Sequence, residues 1–135
     1  MSKQVIVMRK DLNMRKGKLV AQGSHATMKD LLSKFQSLDQ SIISRLNFLF
    51  RPRSIFSEDE KKYYFGTFKK ICVYVQSEQQ LDAVHELALK KGLVSHLIID
   101  SGLTEFKNVA TKTCCCIGPD DEDLIDFITG DLPLL

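Results

Sequence analysis

Four polar side chains recur at helical spacing near the start of the chain. Lys18, Gln22, His25 and Lys29 are separated by four, three and four residues, and a helix that turns about 100° per residue places such positions on one face. Ser24 lies beside them, and small neighbours would let a substrate approach the helix closely. An imidazole can take a proton from water, and an ammonium can stabilise a developing anion. The spacing by itself favours an ordinary solvated helix face over one wall of an active site, and it does not decide between them.

A carboxylate that follows an apolar segment is the second candidate. Asp100 ends the segment VSHLIID, which predicts a central strand. In open α/β sheets, residues that handle ligands are often found where strands end. Thr104 follows within four residues and adds a hydroxyl. Asp100 could equally cap the turn at Ser101-Gly102, so its position alone leaves both roles open.

The remaining histidines and the cysteines fit packing better than chemistry. His85 falls within a predicted helix and His96 within a predicted strand. The three consecutive cysteines of TKTCCC would alternate across a strand and could not converge on one ion. With Cys72 they are interpreted as small apolar residues in a reducing compartment, and no metal is expected. A phosphate-binding glycine loop and an H-E-x-x-H motif are absent from the sequence.

Hydrophobic periodicity predicts the elements that must position these groups. Ser77 is a suitable N-cap, and Gly92 and Gly130 are suitable helix ends. Predicted strands cover residues 4–9, 69–76, 94–100 and 111–117, and predicted helices cover 16–35, 78–91 and 120–129. This order predicts an α/β/α sandwich around a mixed sheet of about four strands. Helical connections favour parallel neighbours, whereas the short link between the last two strands favours an antiparallel or irregular pair.

Length and composition favour one cytoplasmic domain that spans residues 1–135. No apolar run approaches the roughly 20 residues that cross a bilayer, and the first residues do not form a secretory signal. The net charge of +2 does not by itself indicate nucleic-acid binding. Lysine and arginine nevertheless cluster near the first helix, while acidic residues concentrate in PDDEDLID. A basic face and an acidic end are therefore predicted.

Three segments of the sequence resemble one enzyme family. DLNMRKGKLVAQGSHA resembles the D-L-x-M-x-K-G-K-x-A-A-Q-C-S-H-A segment of the archaeal and eukaryotic (type 2) peptidyl-tRNA hydrolases. LIIDSGLTE is similar to the D-A-G-x-T-Q turn of that family. TKTCCCIGPDDEDLIDFITGDLPLL is similar to its closing T-x-x-x-x-I-G-P, L-I-D and T-G-x-L-x-L-L pattern. The three segments occur in the family's order, so the chain is identified as a diverged member.

The resemblance implies a homodimeric α/β enzyme without a cofactor. Such an enzyme hydrolyses the ester between a peptide and the terminal ribose of tRNA. By motif position, His25 becomes the candidate general base and Asp100 the group that orients it or the water. Lys18 and Thr104 become the groups that stabilise the oxyanion. The substrate-binding positions are Gln22, Ser24, Lys29 and Thr113.

The sequence also departs from the family pattern. Leu103 stands where the family usually has arginine, and Glu105 stands where it usually has glutamine. One cation is lost and one anion gained near Thr104, which predicts weaker tRNA binding. Residues 36–69 appear longer, more basic and more aromatic than the family requires, and this insert could bind another partner. Two alternative functions follow: a non-catalytic binding or regulatory module, and a hydrolase of a different acyl conjugate.

Overall fold

A mixed sheet with helices on both faces positions every candidate residue. The computed structural model describes residues 1–41 and 55–135. In chain order the elements are β1 Ser2–Arg9, α1 Lys16–Ser41, α2 Glu58–Lys62, a π-helical segment Tyr63–Thr67, β2 Lys69–Val75, α3 Glu78–Lys90, β3 Ser95–Asp100, β4 Thr111–Asp121 and α4 Glu122–Thr129. The predicted fold class, a single-domain α/β/α sandwich with four strands, is confirmed.

The strands lie in the order β2-β1-β4-β3. β1 and β2 are parallel, whereas β4 is antiparallel to both β1 and β3. The prediction that β3 is central is wrong, because it lies at the edge of the sheet. A central strand is covered on both faces, as β4 is from Thr113 to Pro119, but Ile99 of β3 is 60% exposed. The apolar composition of β3 therefore did not indicate its place in the sheet.

Most of the predicted ends of helices and strands agree with the structure. The side chain of Ser77 accepts a hydrogen bond from the amide of Gln80 at 3.1 Å and caps α3 as predicted. Gly92 has a φ of +76°, as expected of a residue just beyond a helix. α1 continues to Ser41 instead of ending near residue 35. The helical pattern SIISRLNFLF and the break at Pro52 belong almost wholly to residues 42–54, which lie outside the described residues.

Two apolar layers form the core, one on each face of the sheet. On one face α1 packs on residues that include Met8, Ile98, Cys114 and Cys116. On the other face α3 and α4 pack on residues that include Val7, Cys115 and Ile117. The consecutive cysteines therefore alternate between the two layers, as predicted. Burial raises the pKa of Cys114 to about 12 and the pKa values of its two neighbours as well, so all three are thiols.

The described end of the insert, α2 and the π-helical segment, packs against the sheet through buried polar contacts. Tyr63 is fully buried, and its hydroxyl donates to Oε1 of Gln4 at 2.7 Å. Glu60, also buried, forms an ion pair with Lys34 at 2.7 Å. Ser57 and Glu60 form a reciprocal capping box at the start of α2. These contacts hold the end of the insert beside β1 and α1.

The two outer edges of the sheet differ. The C-terminal tail lies along β2, because the amide of Tyr74 donates to the carbonyl of Pro133 at 3.0 Å and the amide of Leu135 donates to that of Cys72 at 3.1 Å. Among residues 1–41 and 55–135, no strand pairs with the outer edge of β3. No helix in the described ranges is long and apolar enough to cross a membrane.

Candidate active site

Three distant parts of the chain meet at the end of β3. Lys18 of α1 places its Nζ 2.8 Å from Oδ1 of Asp100. The same ammonium donates to the hydroxyl of Thr104 at 3.0 Å. Gln22, one turn further along α1, donates from Nε2 to Oδ1 of Asp100 at 3.1 Å. The helical spacing of Lys18 and Gln22 therefore places both donors on one carboxylate oxygen.

The turn that follows β3 supplies a further donor. The amide of Gly102 donates to Oδ2 of Asp100 at 2.8 Å. Gly102 has a φ of +82°, and a Cβ there would lie 2.1 Å from the carbonyl oxygen of Val109. Only glycine fits this turn, because both the conformation and the close approach exclude a side chain. Asp100 thus caps the turn, as one of its two predicted roles requires, and it also accepts hydrogen bonds from Lys18 and Gln22 of α1.

The environment of Asp100 favours its ionised form. The hydrogen bond from Lys18 lowers the pKa of Asp100, and the bonds from Gly102 and Gln22 act in the same direction against the effect of burial. Oδ2 accepts one hydrogen bond from the described residues and so retains a lone pair. The site therefore holds a fixed carboxylate that can still accept a hydrogen bond from water.

Thr113 stands behind this network. Its hydroxyl donates to Oε1 of Gln22 at 2.5 Å, and both side chains are buried. This bond fixes the orientation of the Gln22 amide, so that its NH₂ group faces Asp100. Gln22 also lines the cleft described below, whereas Thr113 does not. Thr113 thus contacts Gln22 from behind the cleft, and its predicted contact with the substrate stays a prediction.

A cleft of about 530 Å³ lies between α1 and β3 and opens beside Asp100. Its lining includes the predicted residues Gln22, Ser24, His25, Lys29 and Asp100. Ser24 donates to the carbonyl of Val20 at 2.9 Å, within its own helix. In the described part of the chain no hydrogen bond joins His25 to Asp100 or to any other group, and the imidazole is exposed to the cleft. His25 is therefore open to a bound water or substrate.

Sequence reasoning missed a second ion pair beside the site. Nε of Arg15 lies 2.7 Å from Oε1 of Glu105, although the two residues are 90 positions apart. The hydrogen bond from Arg15 lowers the pKa of Glu105. Glu105 thus neutralises an exposed cation at the start of α1. Leu103 is 75% exposed on the same loop. No local signal in the sequence links residues 15 and 105.

The other two histidines have structural partners. Nδ1 of His85 lies 2.7 Å from the hydroxyl of Ser95. Nε2 of His96 lies 3.2 Å from Oδ1 of the buried Asp30. These contacts agree with the packing roles predicted for both. Across the described ranges, no group of three or more histidine, cysteine, aspartate or glutamate side chains is arranged to hold a metal ion.

The fold and the cleft define the class of protein: a single-domain α/β protein whose site joins a fixed carboxylate, an ammonium and an open imidazole. Comparison with known proteins identifies the family. A family model described as peptidyl-tRNA hydrolase PTH2 matches residues 2–135. The chain belongs to this family.

Archaeal relatives match over their full length. A peptidyl-tRNA hydrolase of Methanopyrus kandleri is 37% identical over 135 residues, which cover 100% of this chain and 99% of the relative. One of Methanothermobacter thermautotrophicus is 35% identical over 133 residues, or 98% of this chain and 99% of the relative. One of Methanocaldococcus jannaschii is 38% identical with the same coverage. The similarity therefore includes the whole region that forms the cleft.

Proposed function

We propose that this chain hydrolyses the ester that joins a peptide to the terminal ribose of tRNA, and that it does so in the cleft between α1 and β3. The observation that carries this proposal is the convergence of Lys18, Gln22 and Thr104 around Asp100 at the mouth of that cleft. An ester needs an activated water and a stabilised oxyanion, and the network has groups suited to both.

The water is activated by His25 and oriented by Asp100. The free lone pair on Oδ2 of Asp100 accepts one hydrogen from the water, and the imidazole accepts the other as the oxygen attacks the ester carbon. A carboxylate with a lowered pKa is a weak base, so proton removal falls to His25. The imidazolium then returns the proton to the ribose oxygen that leaves. Peptide acid and free tRNA are the products.

Lys18 and Thr104 stabilise the oxyanion that forms in between. The Lys18 ammonium has three N–H donors and uses two of them on Asp100 and Thr104. Thr104 accepts from Lys18, which leaves its own hydroxyl hydrogen free to donate. One donor from each residue therefore remains for the substrate. Gln22 and Thr113 act as positioning residues that hold the carboxylate in place.

The tRNA is held by exposed cations around the cleft. Lys16 and Lys29 are exposed on α1, on the side of the sheet that carries the site. Contacts of this kind with phosphates fix the position of an RNA without reading its sequence. An enzyme that must accept many tRNAs needs recognition of this sort.

We propose three further features that follow from the family resemblance and the insert. The chain acts as a homodimer in the cytoplasm, which sedimentation at micromolar concentration and fractionation of cells would test. The insert 36–69 binds a protein or RNA partner through its aromatic residues. The exposed rings of Phe65 and Phe68 support this, and their replacement by serine should abolish crosslinking to that partner.

Release of free tRNA from N-acetyl-aminoacyl-tRNA tests the proposed reaction. The wild-type chain should hydrolyse this substrate, and His25→Ala and Asp100→Asn should each lower kcat/KM by about a hundredfold or more. Asp123→Asn, an exposed carboxylate on α4, is the matched control and should leave the rate unchanged. A folded wild-type chain without activity would favour a binding module or a hydrolase of another acyl conjugate.

A further inference from the structure

We propose that the peptide part of the substrate binds along the outer edge of β3 as an added strand parallel to it. The inference rests on the proposed function and assigns the peptide-binding part of the same cleft. It follows from the open edge of the sheet, the lining of the cleft and the position of Asp100.

The outer edge of β3 offers main-chain hydrogen-bonding groups. The inner edge of β3 is paired with β4. The opposite edge of the sheet, at β2, is covered by the C-terminal tail, whereas no described strand covers β3. An open edge is a ready template for an extended chain, which adds to it through main-chain hydrogen bonds.

The lining of the cleft shows that it follows this edge. Leu97, Ile98 and Ile99 all contact the cleft. Consecutive residues of a strand point to opposite faces, so a cavity that touches all three lies against the edge of the strand. The facing wall is α1, where Met28 and Leu32 are 45% and 50% exposed. An extended chain would thus lie between main-chain groups on one side and apolar side chains on the other.

The position of Asp100 fixes the direction and the length of the bound peptide. Asp100 ends β3, so the ester carbon lies at that end and the peptide extends back toward Ser95. Its N-to-C direction is then the same as that of β3. At a rise of about 3.3 Å per residue, the part of β3 that lines the cleft, residues 97–100, matches about four residues of peptide before the ester. Residues further from the ester would extend beyond the edge.

This mode of binding suits a substrate whose sequence varies. Peptides on tRNA share only their backbone and the ester, so side-chain pockets would restrict the range of substrates. Main-chain pairing recognises every peptide that lacks proline at a pairing position, because its donors and acceptors are the same for all residues. The apolar wall of Met28 and Leu32 adds contact without a defined shape.

Substrates of different length test the proposal. One tRNA is charged with alanine and carries either N-acetylalanine or N-acetyl-tetra-alanine, so the reacting ester is identical. We expect kcat/KM to be about tenfold higher for the longer peptide, since two or more added hydrogen bonds contribute. N-methylation of the second or of the third residue from the ester should differ in effect, because successive amides of a strand point in opposite directions. One of the two should remove most of the tenfold gain.

Variants of the apolar wall provide a second readout. Leu32→Asp and Met28→Asp should reduce the ratio of the two kcat/KM values. Leu89→Asp is the matched control, because Leu89 is 51% exposed on α3, across the sheet from the cleft, and the ratio should not change.

The outcomes separate this inference from the proposed function. Equal kcat/KM for both lengths, or equal effects of the two N-methyl groups, would overturn strand addition while hydrolysis stands. Hydrogen exchange could also show that a second copy of the chain protects the β3 amides. If kcat/KM is then equal for both peptide lengths, the edge belongs to the dimer interface, and strand addition by the peptide is overturned. No hydrolysis of N-acetylalanyl-tRNA would overturn the proposed function and this inference with it.

Discussion

In the proposed mechanism, Asp100 and His25 divide the chemistry of the cleft between a fixed anion and a free base. Four hydrogen-bonding groups surround the carboxylate directly or through Lys18, whereas the imidazole has no bond within the described residues. An imidazole without a fixed hydrogen bond is free to accept and release a proton. The donors around the carboxylate stabilise its charged form. The two residues can therefore be distinguished by the pH dependence of the reaction.

We expect the acid limb of the pH profile to depend on His25. The lowered pKa of Asp100 keeps it ionised between about pH 5 and 8, so its protonation cannot cause a loss of rate in that range. A general base acts only while it is unprotonated, so protonation of the His25 imidazole would lower the rate. The measurement is kcat/KM on N-acetyl-aminoacyl-tRNA as a function of pH. Asp100→Asn should lower kcat/KM but keep its decrease at acid pH, whereas His25→Ala should lower kcat/KM and abolish that decrease. Persistence of the limb in His25→Ala would assign the base to another group.

Thr113 provides a test of positioning. Thr113→Val removes the donor to Oε1 of Gln22 and leaves a buried acceptor unpaired, which should lower the free energy of unfolding by about 1–3 kcal/mol. A Gln22 amide that turns away also loosens Asp100, and kcat should fall about ten- to a hundredfold while KM changes little. Urea denaturation and steady-state kinetics measure the two effects. Thr113→Ser keeps the hydroxyl, so its free energy of unfolding and its kcat should stay close to those of the wild type. A serine variant with a kcat as low as that of Thr113→Val would contradict the positioning role.

At the scale of single residues, the sequence indicated which residues lie at the site better than it indicated which residues they contact. Helical spacing correctly placed Lys18 and Gln22 on one face, since it depends only on local geometry. The position of Asp100 after an apolar segment made it a candidate, but local spacing could not connect it to α1, and the family resemblance placed both in one site. The pairing of Arg15 with Glu105 depends on how the loop after β3 returns to α1, and that path is a property of the whole fold.

At the scale of elements, the sequence showed which segments form strands but not where each strand lies. The continuous apolar run of β3 is typical of a central strand, yet Leu97, Ile98 and Ile99 all line the cleft, and Ile99 is 60% exposed. Apolar residues that line a ligand site and apolar residues that fill a core have the same composition. The Ser57–Glu60 capping box, by contrast, was a readable signal for the start of α2 that the aromatic composition of the insert obscured.

Removal of a single oxygen atom tests the contact between the insert and the sheet. Tyr63→Phe removes the hydroxyl that donates to Oε1 of Gln4 and leaves that buried oxygen unpaired. The free energy of unfolding should fall by about 1–3 kcal/mol, which thermal or urea denaturation would show. Tyr74→Phe is the control, because its hydroxyl forms no hydrogen bond within the described residues, and its stability should stay close to that of the wild type. Equal stability of both variants would mean that water replaces the lost hydroxyl.

Across the whole molecule, charge is separated by the sheet. α1, with its exposed lysines and the cleft, covers one face, and the acidic α4 covers the other. Several α4 carboxylates are already paired, since Lys3 lies 2.6 Å from Asp126 and Lys69 lies 2.5 Å from Glu122. The predicted basic face and acidic end thus lie on opposite sides, so we expect an RNA backbone to approach the side of the cleft.

We expect the loop after β3 to affect how strongly that basic face binds RNA. Arg15 is 82% exposed but paired with Glu105, and Leu103 adds no charge. The double variant Leu103→Arg with Glu105→Gln releases one cation and adds another, so up to two more phosphate contacts can form. We expect tighter binding of deacylated tRNA and a slope of log K against log salt that is steeper by about 0.7 to 0.9 for each contact. Fluorescence anisotropy between about 50 and 200 mM salt measures both quantities.

A matched change elsewhere separates local contact from net charge. Leu89→Arg with Glu86→Gln alters the charge by the same amount on the exposed surface of α3, which lies across the sheet from the cleft. If the tRNA contacts the loop, only the variant at residues 103 and 105 steepens the slope, because counterions are released only where phosphates are neutralised. An equal increase in both variants would show that the molecule's overall charge controls affinity. In that case the departures at Leu103 and Glu105 act on binding only through the overall charge and not through a local contact.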